Sequence, residues 1–106
     1  MTVYVDDMML HAQVGRINAR WCHLFTDQDD QTELHELAQR IGMRRAWFQK
    51  PEEERRAPWR CHYDVTETKR RAAIAAGAVP ISMQGHMDLM GARIRDREGA
   101  GHDHNE

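Results

Sequence analysis

The amino-acid sequence predicts a small α/β domain: a βαβαβ-like, partly parallel sheet with two packed helices and a flexible C-terminal tail. Three observations carry that prediction. Short runs rich in β-branched and aromatic residues occur at Thr2–Asp6, Ala46–Gln49 and Val79–Ile81. Two helix-forming segments stand between them, each preceded by capping residues and followed by a glycine. The resulting alternation of strand and helix implies crossover connections and parallel neighbours. At 106 residues the chain has room for one hydrophobic core.

Thr2–Asp6 starts the sheet, with Val3 and Val5 on one face and Tyr4 on the other. Asp6 and Asp7 end it, because acidic residues form strands poorly. Met8–Arg20 is open between a short strand and an irregular segment, with Gly15 marking a turn; Trp21, Leu24 and Phe25 supply bulk for a core. Leu34, Leu37, Ala38 and Ile41 follow the i, i+3, i+4, i+7 spacing of a helix with one buried face. Asp30 and Glu33 have capping-box spacing, and Gly42 suits a left-handed C-terminal position, so the helix is expected over Gln31–Ile41. Ala46–Gln49 is the second strand, and the polar, proline-containing Lys50–Arg60 is expected to be a mobile surface loop. A second helix is expected over Thr66–Ala76, capped by Thr66 or Asp64 and closed by Gly77. Pro80 assigns the last strand, Val79–Ile81, to an edge or a strand start.

The expected division is one domain over residues 1–82 and a short helical or irregular extension over 83–106. Met83, His86, Met87, Leu89, Met90 and Ile94 have the makings of a short amphipathic helix, and Gly99–Glu106 is small, polar and expected to be disordered. His102, Asp103 and His104 in that tail read as adventitious metal-binding groups.

Composition limits the function. Hydrophobic residues make up 41% and charged residues 30%, with a formal net charge of −2, so a broad nucleic-acid footprint is not expected. No run approaches the roughly 20 apolar residues of a membrane span, and the N-terminus lacks the basic start and apolar run of a signal peptide. Cys22 and Cys61 are far apart, outside any zinc-type spacing, and read as two reduced thiols. The expected location is the cytoplasm, with no membrane partner.

The candidate chemistry is a distributed His/Asp set. Asp6 and Asp7 lie at the carboxyl end of the first strand, where ligand sites gather in open α/β sheets. His62 and Asp64 lie just before the second helix, and His23 lies between Trp21 and Phe25. Imidazoles with carboxylates suit a divalent metal such as zinc or manganese, and an open coordination position activates water. In this reading Asp6, Asp7 and His23 are metal ligands, and His62 with Asp64 is the catalytic pair, His62 as ligand or general base. Each residue also has a plainer role: Asp64 as a helix cap, Asp6 and Asp7 as turn formers, His23 as a hydrogen-bonded core histidine. His35 is expected at the rim of the first helix. Arg16, Arg20 and Arg70 are the candidate anchors for a small phosphorylated ligand, against the plainer reading of solvated basic surface. Trp47, Phe48 and Trp59 are expected to serve the core.

The ordered segments Tyr4-Val5-Asp6-Asp7, Trp21-Cys22-His23-Leu24, Glu33-Leu34-His35, Trp47-Phe48-Gln49, His62-Tyr63-Asp64 and Lys69-Arg70-Arg71, followed by Ala73-Ile74 and Gly77-Ala78, resemble a family of small bacterial and phage proteins. That family is the domain of unknown function 4031. The resemblance covers about Thr2 to Ile81. It implies serine in many relatives at the position of Cys22, which argues against a catalytic cysteine there, and it implies no reaction. Two functions follow from the residues themselves. One is a metal-assisted hydrolase or nucleotide- or phosphate-processing domain. The other is a non-enzymatic binding or regulatory module, such as a phage accessory protein, whose protein partner would meet an adaptable surface of Met83, Met87 and Met90.

Overall fold

In a computed structural model, which describes residues 2–51 and 57–104, the chain forms a six-stranded mixed sheet with helices on both faces. The strands are β1 (Tyr4–Val5), β2 (Leu10–Val14), β3 (Ile17–Phe25), β4 (Phe48–Gln49), β5 (His62–Thr66) and β6 (Val79–Pro80); the helices are α1 (Thr32–Arg40), α2 (Glu67–Ala75) and α3 (Met83–His104). The sheet order is β4-β5-β3-β1-β6, with β2 paired to β3. Only β1 and β6 run parallel; the other pairs are antiparallel. The expected α/β architecture with a partly parallel sheet is therefore present.

The segment left open at Met8–Arg20 is an extended hairpin. Gly15 takes a positive φ of 60° in its turn. β1 and β2 lie along the same side of β3, because Leu24 pairs with both Val5 and Tyr63, and Trp21 with both Leu10 and Thr66. Val5 opposes Leu24 and Leu10 opposes Trp21, so four residues of one strand, Asp6 to Met9, span the distance covered by Cys22 and His23 of the other. The edge is thus one strand broken by a bulge, and Met9 within it takes a φ of 51°. Bulges re-aim side chains and are common beside functional sites.

The core lies on one face of the sheet. Val5, Cys22, Leu24, Tyr63 and Val65 point there and meet Leu34, Leu37, Ala38 and Ile41 around α1 and Ala73 of α2. Burying these apolar groups stabilises the fold at roughly 25 cal/mol per Å² removed from water. Gly42 ends α1 at φ +84°, the left-handed conformation expected of it, and Gly77 closes α2 at φ +113°. Asp30 acts slightly differently from a capping box: its Oδ1 accepts from both Thr32 N (2.9 Å) and Thr32 Oγ1 (2.6 Å), which orders the turn before α1. In β6, Val79 N and Ile81 N donate to Val3 O and Val5 O of β1, so Pro80 occupies an edge position where no amide donor is needed.

Three local expectations are corrected. Arg45–Trp47 is a 3-10 turn, leaving only Phe48–Gln49 in β4. Part of the expected Lys50–Arg60 loop, residues 52–56, lies outside the described residues; its end is ordered, with Pro58–Arg60 in a 3-10 turn and Ala57 and Trp59 buried. The backbone of α3 is helical through His104, beyond the short element expected, and Asn105 and Glu106 lie outside the described residues.

Candidate metal centre

Strand alternation builds the site on the sheet face opposite the core. Val5, Cys22, Leu24, Tyr63 and Val65 face α1 and α2, so Asp6, His23, His62 and Asp64 emerge on the other side. His23 and Asp64 are direct partners across β3 and β5. Asp6 enters where β1 leaves its regular pairing. Its amide still donates to His23 O (3.0 Å), and its carboxylate Oδ1 accepts from His23 N (2.9 Å) in return. The side chain thus stands in for a backbone carbonyl at the bulge.

The Asp6 carboxylate is fully buried and fully used. Oδ1 also accepts from Met8 N (3.2 Å), while Oδ2 meets His23 Nδ1 at 2.7 Å and His86 Nδ1 at 2.8 Å. Burial alone would raise its pKa. The bonds from His23, His86 and the His23 amide outweigh burial, and they hold the carboxyl well below the ordinary carboxylate range. An ionised carboxylate only accepts, so both imidazoles carry a proton on Nδ1. His62 is held by other partners: its Nδ1 donates to Arg60 O (3.1 Å), and its Nε2 lies 3.4 Å from Asp64 Oδ1. Burial opposes protonation of His62, but Asp64, the Arg60 carbonyl and the charge of Asp6 together raise its pKa. The bond from His62 is the main cause lowering that of Asp64.

Among the described residues two groups have metal-binding proximity: Asp6, His23 and His86, and His23, His62 and Asp64, with one potential ligand atom per residue all within 4.8 Å of one another in each. His23 belongs to both. The rings pack closely, with centroids 4.8 Å apart for His23 and His62, and His86 stacks on Phe25 at 3.7 Å. A cavity of about 580 Å³ opens in front of them, lined by His23, His62 and His86 and by residues of α3 and the β4–β5 end.

The predicted site residues separate into those brought together and those left apart. Asp6, His23, His62 and Asp64 converge. Asp64 does not cap α2, because Thr66 Oγ1 accepts from Lys69 N (3.2 Å) instead. Asp7 turns away and accepts from Met83 N (2.7 Å), placing a negative charge at the N-terminus of α3. Arg16 lies at the exposed hairpin turn, and Arg20 alternates with Trp21 onto the other face of β3. Arg70 donates from Nε to Asp6 O (2.8 Å), bracing the bulge from α2. These three arginines are not assembled into one phosphate grip. His35, expected at the rim, is half-buried, with Nδ1 2.8 Å from the Tyr63 hydroxyl. His86 is the member of the cluster that the sequence reading missed. Its signal was a histidine within the Met83, Met87, Met90, Ile94 stripe of the last helix.

The fold and site define a small α/β domain in which a buried aspartate orients two histidines beside a His/Asp pair. The chain belongs to the family described as Protein of unknown function (DUF4031), whose model matches residues 3–93. The match extends beyond Ile81 to include His86 on α3. No curated protein and no solved structure matches the chain. Among the described residues no helix is long and apolar enough to cross a membrane.

Proposed function

We propose that this protein is a metal-dependent hydrolase domain, with one divalent ion such as zinc or manganese held by His23, His62 and Asp64. One observation carries the reading: one potential ligand atom each of His23, His62 and Asp64 lie within 4.8 Å of one another, while His23 Nδ1 is held by Asp6 Oδ2 and His62 Nδ1 by the Arg60 carbonyl, leaving His62 Nε2 turned to Asp64, where a metal would displace its proton. Metal-binding histidines nearly always have such an outer partner, which sets the tautomer and the ring orientation. Asp6 and the Arg60 carbonyl fill that outer role. With all its acceptor positions engaged, Asp6 acts as a positioning residue. Two imidazoles and a carboxylate leave a coordination position for water, and a bound divalent ion lowers the pKa of that water toward neutrality. His86, on the cavity wall and oriented by the same carboxylate, is placed to exchange a proton with the substrate or leaving group.

The test is metal analysis of full-length protein without an affinity tag and with the tail changed by His102→Gln and His104→Gln. One equivalent of bound metal, lost in His62→Ala, supports the centre; no binding at submillimolar metal refutes it. A binding-module reading draws on a different observation. Leu10, Val14 and Ile17 are each more than half exposed on one face of the β2–β3 hairpin. Monomeric behaviour at high concentration in light scattering counts against self-association through that face.

A further inference from the structure

We infer that the cavity beside His62 takes a small organic anion with an apolar body, its charged head held by Arg60 and Lys50 and its body lying along α3. This names the ligand class of the proposed centre and rests on that reading only for placing the reacting group next to His62. Two opposed walls support it. Lys50 and Arg60 line one wall, the segments that follow β4 and precede β5, and among the described residues no carboxylate lines the cavity. Arg60 is fixed by function as well as position, since its backbone carbonyl already accepts from His62 Nδ1. Its guanidinium rests 5.8 Å from the Trp59 ring centroid, and buried Trp59 gives that contact a rigid base. The opposite wall is Met87, Met90 and Ile94, three apolar residues of α3 at helical spacing, with Met87 exposed to solvent. Methionine side chains adapt to varied apolar shapes, which suits a ligand body rather than a fixed core contact.

The volume of about 580 Å³ is that of a small-molecule site. Cationic heads with apolar tails are disfavoured by Lys50 and Arg60; purely apolar ligands leave both cations unpaired. The shared head chemistry is a carboxylate or a phosphate monoester. Both accept bidentate guanidinium bonds, and the bonds are charge-assisted.

The experiment is calorimetric titration of the full chain, metal-free and zinc-loaded, with hexanoate, hexyl phosphate, inorganic phosphate, hexanol and hexylamine. The expected result is that hexanoate or hexyl phosphate binds at least about tenfold more tightly than hexanol, hexylamine and inorganic phosphate, a margin in keeping with charged hydrogen bonds. Which of the two binds better identifies the head group. Arg60→Gln and Lys50→Gln should each weaken the anion about tenfold while leaving hexanol unchanged. Lys50 lies outside the set proposed to hold the metal, so Lys50→Gln should retain zinc affinity. Met90→Ser should reduce the gain in affinity with chain length. Equal binding of hexanol and hexanoate, or anion affinity unmoved by Arg60→Gln, overturns the inference. Anion binding without zinc binding overturns the metal centre and leaves this inference standing; zinc binding without anion binding does the reverse.

Discussion

Asp6→Asn is the most informative single change in this molecule. The asparagine preserves shape and keeps one oxygen to accept from the His23 and Met8 amides. The other position becomes an NH₂ group facing two imidazole nitrogens that now donate to Oδ2 at 2.7 and 2.8 Å. Two donors then confront donors in a buried site. Either the N–H groups stay unsatisfied, or His23 and His86 move their protons to Nε2. Removing one partner of a buried charged network costs about 3–5 kcal/mol. For a domain of this size each kcal/mol is about 4–8 °C in Tm, so a fall of more than 10 °C is expected. Urea unfolding monitored by tryptophan fluorescence measures the first effect, and imidazole ¹⁵N shifts measure the second. Metal affinity should also fall, by about 10- to 100-fold, as it does when outer partners of ligating histidines are lost. The acid limb supplies an independent check. The Asp6 pKa is lowered in the folded state, so its contribution is present above the unfolded value near 3.9 and is lost as pH falls toward the folded value. The wild type should lose stability steeply below about pH 4, and Asp6→Asn should flatten that limb. A stability change under about 1 kcal/mol with unchanged histidine tautomers would refute the reasoning.

Four other outcomes follow from the same structure. In metal-free protein the His62 pKa is raised, so its stabilising contribution is complete below about pH 6.5 and fades as pH rises through the folded value; His62→Gln should remove that slope from a pH series of unfolding curves. Metal binding needs neutral His62, so affinity should strengthen over the same pH rise, read by competition with a chromogenic chelator. Burial raises the Cys22 thiol pKa, and its Sγ sits 3.6 Å from Met9 Sδ, so Cys22 should resist iodoacetamide in the native state and react once urea unfolds the chain, by mass mapping. Gly42→Ala should cost at least about 1 kcal/mol, because the left-handed backbone strains a side chain and the new Cβ would meet Lys69 Nζ at 3.0 Å; thermal melts decide it.

Local chemistry explains what was legible before the structure. α1 showed itself through four apolar residues at helical spacing with Gly42 behind them, and the edge position of β6 through Pro80. Asp6, His23, His62 and Asp64 were visible as a set through their residue types and through the placement of Asp6 at a strand end and of His62 and Asp64 just before a helix; that His62 and Asp64 share one face of a strand was not. What stayed hidden depended on register and long-range contact. The hairpin was obscured because β2 alternates weakly, with Leu10 and Val14 separated by small Ala12 on a solvent-exposed face. The bulge that aims Asp6 is a property of pairing between β1 and β3 and leaves no local mark beyond two acidic residues in succession. Asp7 carried the same signal as its neighbour, yet alternation sent it to α3. His86 is 80 positions from its partner Asp6, a separation that no motif spacing reports. Trp47 and Trp59 were both expected in the core, yet Trp59 is buried and Trp47 is 47% exposed, a difference set by tertiary packing that composition does not encode.

In the proposed centre His23, His62 and Asp64 hold one divalent ion while Asp6 and the Arg60 carbonyl fix the histidines. Zinc titration by calorimetry at pH 7.5, on full-length untagged protein carrying His102→Gln and His104→Gln, tests it most directly. The expected result is one ion per chain, with affinity lost in His23→Ala and His62→Ala and weakened in Asp64→Asn. Absence of binding, or binding that survives both histidine substitutions in folded protein, would contradict it.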